Sequence, residues 1–147
     1  MTYPGTAPQA FRGERLGLPA QGRGSLATSG PRLGALVVDV VASTLVAALF
    51  VQAFRSPGGD LASHLPQSWS LIPLGIDYVL GVLFAGRTLG MYFTGLRLIR
   101  VDGDKPVGPA RVIVRTALLF LLVPAVIWDK DGRGMHDRLT ATAVVRS

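Results

Sequence analysis

The stretch Pro31-Arg-Leu-Gly-Ala-Leu-Val-Val-Asp-Val-Val-Ala-Ser-Thr-Leu-Val-Ala-Ala-Leu-Phe-Val-Gln-Ala-Phe54 decides how this chain is read. About 22 apolar residues rising ~1.5 Å each reach roughly 33 Å, the thickness of a bilayer core. The segment therefore reads as a membrane span that starts behind Pro31. Its one interior charge is Asp39, with Arg32 at the mouth. Seven residues are close to two helical turns, so Arg32 and Asp39 share a face, with Asp39 about 10 Å deeper. Ala35, Asp39, Ser43 and Ala47 recur at four-residue steps, a stripe of small side chains that lets another helix approach closely. Asp39 is expected to face protein and not lipid.

Outward from this stretch, the preceding 30 residues are rich in Gly, Pro, Ser and Gln, with scattered Arg. Residues 1–30 are read as a disordered cytoplasmic tail, and they contain no apolar run of the kind a signal peptide has. Residues 55–68 have loop composition and no net charge. A second apolar segment covers about residues 69–86, with Trp69 placed as an interfacial anchor, Pro73 near its start and Asp77 inside it. A basic connector from Arg87 to Arg111 follows, with a loosely alternating run at residues 95–101 that suits a short strand. A third apolar segment, about residues 112–128, contains Arg115 and Pro124. Crossing and re-entry are both open for it; re-entry would let residues 140–145 pair as a strand with residues 95–101. The positive charge of the tail and connector, set against a neutral first loop, places the N-terminus and connector in the cytoplasm of a cell-membrane protein.

Only 16% of the 147 residues are charged, against about 25% in average soluble domains, and 49% are hydrophobic. The fold class expected is an all-α membrane protein: a small multi-pass bundle of two firm spans and a third spanning or re-entrant segment in residues 31–147, with a short cytoplasmic β-pairing. The net charge of +6 is concentrated beside apolar segments, which points to lipid head groups and topology and away from nucleic acid. Cysteine is absent, excluding disulfides and thiolate chemistry. The Asp129-Lys-Asp-Gly132 run lacks the closing Glu of a calcium loop, since the one Glu is Glu14, so no metal and no cofactor is expected. His136-Asp137 has no nucleophile in a matching motif, and no enzyme is expected; Asp137 reads as an anchor for connector arginines or backbone.

Together, Arg32 and Asp39, the run Gly86-Arg-Thr-Leu-Gly-Met-Tyr-Phe-Thr-Gly-Leu-Arg-Leu-Ile-Arg-Val-Asp-Gly103, and His136-Asp-Arg-Leu-Thr-Ala-Thr-Ala-Val-Val145 resemble the RDD family of bacterial membrane proteins. The resemblance implies that the arginine and two aspartates of the family name fall on Arg32, Asp39 and Asp137. It also implies that Gly86, Thr88, Gly90, Gly95, His136 and Thr142 belong to family motifs, and that transport, including Na+/H+ antiport for some members, is proposed for the group. Two departures stand out. The closing motif, usually similar to HDxxAGT, here ends Thr140-Ala141-Thr142, and Asp77 lies in no family motif.

Two expectations follow for the charges. Asp39 either pairs with Arg32 or Arg115, the first expectation, or titrates as a proton or Na+ site with Asp77 coupled to it in one cleft. Two functions follow in turn: small-ion transport through this network of Arg32, Asp39, Asp77, Arg115 and Asp137, or a non-transporting adaptor that holds a protein or lipid on its cytoplasmic face. A homo-oligomer is also expected, with the small-residue stripe of the first segment as its contact.

Overall fold

In the computed structural model, the residues described are 10–53, 67–103, 105–121 and 133–147. Helix α1 spans Ser29–Ala53. A 3-10 turn at Gln67–Ser70 leads into α2, Leu71–Ile76, whose coil widens into a π-helix over Asp77–Ala85. Short helix α3, Leu89–Phe93, turns the chain into strand β1, Leu96–Arg100. Helix α4 is Pro109–Phe120, α5 is Met135–Leu139 and strand β2 is Thr142–Arg146. Two helical stretches, Ser29–Ala53 and Ser68–Ala85, are long and apolar enough to cross a membrane.

The side chains are arranged inside out. Leu33, Val37, Val41, Leu45 and Leu49 of α1 are exposed, as are Ile72, Ile76, Leu80 and Phe84 of the second helix. The buried residues of α1 are Ala35, Asp39, Ser43 and Ala47. This is the expected stripe, and its partner is the chain itself: α3 and α2 pack on α1. The stripe is thus covered within the chain. An apolar exterior around a polar interior is what hydrocarbon selects, because apolar residues gain nothing by hiding from lipid while polar ones must be satisfied internally.

β1 and β2 pair antiparallel, with Leu96 opposite Arg146, Leu98 opposite Val144 and Arg100 opposite Thr142. The strand pair expected between the connector and the C-terminal run is thus present. Residues 24–27, assigned by composition to a disordered tail, are held against β2. Gly24 N–H donates to the Arg146 carbonyl at 2.9 Å, Ala27 N–H to Val144 at 2.9 Å and Arg146 N–H to Ser25 at 3.0 Å. Composition missed this order because Ser25, Leu26 and Ala27, all buried, gain their apolar partners from a strand more than a hundred residues away.

The core lies where the sheet meets the helix ends, with Ala27, Ala35, Met91, Leu96, Leu98, Val112 and Val144 in contact. Phe50 and Trp69 face each other at the other end of the helix pair, with ring centroids 5.2 Å apart. Of the third apolar segment, α4 lies in the described residues, whereas the half containing Pro124 lies outside them.

Candidate functional site

Two buried carboxylates, Asp39 and Asp137, each 1% exposed, anchor two separate clusters.

The first cluster forms where α3 meets α1. Gly86 ends the π-helix in the left-handed region, at φ 69°, and lets the chain double back. Thr88 then caps α3: its hydroxyl accepts from Met91 N–H at 3.2 Å and donates to Asp39 Oδ2 at 2.7 Å. The other Asp39 oxygen, Oδ1, accepts from Gly90 N–H at 2.5 Å. Gly90 has to be glycine, because a Cβ there would overlap the Ala35 carbonyl oxygen and press on the Asp39 carboxylate. The family-motif run from Gly86 to Gly95 is therefore a device for presenting a hydroxyl and a backbone N–H to one carboxylate. Gly95, also left-handed at φ 65°, then releases the chain into β1.

Asp77 approaches the same place from α2. Each of its oxygens lies 3.3 Å from the Leu89 nitrogen, and its carboxyl is near enough to feel the charge of Asp39. Tyr78, the next residue, is buried and lies within the field of Asp39. The π-helix begins at Asp77, and such widened turns often mark functional sites.

The second cluster forms around Asp137 on α5. Arg115 Nε donates to Asp137 Oδ1 at 2.8 Å, while Arg32 Nη1 stands 3.7 Å from Oδ2 and His136 Nε2 3.4 Å from Oδ1. Arg32 Nη2 also donates to the Val144 carbonyl at 3.3 Å, tying the head of α1 to β2. Burial alone would raise the Asp137 pKa. The charges of Arg115, His136 and Arg32 outweigh it and hold this carboxyl below its ordinary value. Thr142 and Thr140, with hydroxyls 3.0 Å apart, brace α5: the Thr140 hydroxyl donates to the His136 carbonyl at 2.8 Å and that of Thr142 to Asp137 at 3.4 Å.

The structure thus reassigns the ion pairs. The expected partner of Arg32 and Arg115 was Asp39, but both arginines meet Asp137, and Asp39 is held by neutral donors. Asp137 is an anchor as expected, though for Arg32 and Arg115 and not for connector arginines. Three of those have other partners. Arg87 stacks on the Tyr92 ring at 4.8 Å, and Arg100 and Arg111 clasp Asp102 at 2.9 and 2.7 Å. Asp102 has its pKa lowered by these hydrogen bonds.

A cavity of about 680 Å³ opens between α1, α4 and α5, lined by Arg32, Leu33, Leu36, Tyr78, Arg115, Leu119, His136 and Asp137 among others. Tyr78 adjoins both clusters, since it lines this cavity and lies within the field of Asp39. The sequence reading did not single out Tyr78, and gave no sign that α4 contributes to a cavity. Among the described residues no group of three or more His, Cys, Asp or Glu is placed to hold a metal.

No curated protein and no solved structure matches the chain. The family model described as RDD family matches residues 26–141, from the segment pinned on β2 to the residue before β2 begins. That match takes in both clusters and the turns that build them, and the chain belongs to the RDD family.

Proposed function

We propose that this RDD family protein is a two-helix membrane hairpin with a re-entrant third segment, and that the Asp39–Asp77 pair carries a proton or Na+ in small-ion transport. The observation behind this reading is that two carboxyls approach one another between two membrane helices while Arg32 and Arg115 are engaged by Asp137. Two negative charges held near one another in hydrocarbon need a proton or a cation. Thr88 and Gly90 hold Asp39 in place, leaving Asp77, with its longer contacts, as the mobile half of the pair.

The topology rests on the sheet. Residues 24–27 and β1 both bond to β2, which supports a reading with the start of α1, the end of the π-helix and the chain after α5 on one side of the membrane. The third segment then enters and leaves on that side. The positive charge of the sheet side makes it cytoplasmic in a cell membrane.

Flux in proteoliposomes tests the function. Under an imposed proton or Na+ gradient, wild type is expected to dissipate the gradient while Asp39→Asn and Asp77→Asn do not. Equal flux from wild type and both variants would remove the carboxylate pair as the carrier. Absence of flux from wild type, with a protein co-purifying in mild detergent, would favour the adaptor reading.

A further inference from the structure

Helix α3 divides its five residues between two surfaces. Gly90 and Met91 are buried, with Gly90 against the Ala35 carbonyl, while Leu89, Tyr92 and Phe93 are 49%, 59% and 71% exposed. Positions i, i+3 and i+4 lie on one side of a helix, so these three form a single outward apolar face. Its depth follows from α1. The 25 residues of α1 rise about 37 Å at ~1.5 Å each, and a hydrocarbon core of about 30 Å leaves roughly 7 Å, or about five residues, to project from the two ends together. α3 and its cap Thr94 meet α1 at Gly34, Ala35 and Asp39, the sixth, seventh and eleventh residues of that helix. These contacts lie within the hydrocarbon even if every projecting residue is at this end. At the same level Leu33 and Val37 of α1 are exposed, so the outward face of α3 continues the apolar outside of the longer helix. Beside it the Arg87 guanidinium lies over the Tyr92 ring, 4.8 Å from its centroid. A ring with a polar tip and an arginine on a flexible stem suit the boundary between acyl chains and head groups.

A helix too short to cross, fixed at this depth with its apolar face outward, has the lipid leaflet as its natural partner. We propose that α3 is an interfacial helix seated in the leaflet on the sheet side, with Leu89 and Phe93 among the acyl chains and Tyr92, under Arg87, at the head-group boundary. A cytoplasmic protein would have to enter the acyl layer to cover the same face. The helix whose Gly90 N–H holds Asp39 is in this arrangement a membrane element itself, and the water-exposed part of the connector begins after it. The inference rests on α1 being a membrane span and stands whether or not Asp39 and Asp77 carry an ion.

With no native cysteine, nitroxide labels can be placed one at a time on the full chain. Phe93→Cys, Leu89→Cys, Val41→Cys and Arg97→Cys are each labelled and reconstituted in phosphatidylcholine vesicles. Electron paramagnetic resonance then reads collisions with oxygen, which concentrates in acyl chains, and with a water-soluble nickel chelate, which does not. Val41, exposed on α1, is the lipid reference, and Arg97, exposed on β1, is the water reference. The ratio of oxygen to nickel collisions is expected to be several-fold higher at Phe93 and Leu89 than at Arg97 and to approach the ratio at Val41. A ratio at either position equal to that at Arg97, with Val41 high, would overturn the seating of α3 and leave α1 a span. Labels at Phe93 and Leu89 screened from both reagents would overturn it in favour of a protein partner or a second copy. A low ratio at Val41 would remove the membrane reading of α1 and the proposal with it. Because Phe93 and Leu89 are exposed, the labels leave the packed core in place.

Discussion

Ala141 sits at φ 50°, the one left-handed position among the described residues that is not glycine. An L side chain there costs about 1 kcal/mol, and the position falls where the closing motif of the family usually has Gly. The fold accepts this strain because Ala141 N–H donates to the Arg138 carbonyl and its own carbonyl accepts from Val101, joining α5 to the end of β1. Ala141→Gly is therefore expected to stabilise the chain by up to about 1 kcal/mol, read as a higher Tm in detergent. An unchanged or lower Tm would show that the strain is relieved elsewhere. The opposite sign is expected at Gly90. There Gly90→Ala forces a methyl into the Ala35 carbonyl, and separating α3 from α1 also lengthens the hydrogen bond to Asp39. A loss of about 1–3 kcal/mol is expected by analogy with overpacked cores, and retention of the wild-type Tm would contradict the close approach.

At the scale of elements, α5 and β2 form a latch whose bolt is Asp137. Its carboxyl lies below the ordinary 3.8, so its contribution to stability is present in full above that pH. The contribution drains away as the pH falls through the lowered value and the carboxyl takes a proton. Unfolding scans from neutral to strongly acid pH are expected to show wild type losing stability below pH 3.8 more steeply than Asp137→Asn. Parallel profiles would mean that the latch does not draw on this charge.

The four-residue stripe of α1 was legible in the sequence because helical period and small-residue spacing are local properties. The strand at residues 95–101 was legible for a similar reason, since alternation within the run reveals it. The pairing of Arg32 with Asp137 was not legible. Arg32 and Asp39 share a face of α1, and spacing alone favours them as partners, yet the arginine turns toward β2, where the Val144 carbonyl and Asp137 await it. What holds Asp39 instead is backbone geometry in the 86–95 turn, which residue types alone do not encode. The order of residues 24–27 was hidden by the same distance along the chain.

For the molecule as a whole, the pairing with β2 in the proposed topology keeps the start of α1, the end of the π-helix and the chain after α5 on one side of the membrane, with Ser68 on the other. The absence of cysteine makes this testable. Single cysteines at Ser68, before α2, and at Ser147, which donates its N–H to Gly95 at 2.9 Å, are expected to label from opposite sides with an impermeant thiol reagent. Labelling of both from the same side of intact cells would break the link between the sheet and the topology.

The strip of backbone from Gly24 to Ala27 bonded to β2 also bears on how the protein comes into being. On a ribosome Arg32 emerges more than a hundred residues before Asp137 and Val144. In the proposed topology the helical hairpin inserts before these contacts of Arg32 can form. Under that topology, assembly is a two-step closure, insertion first and clasping second.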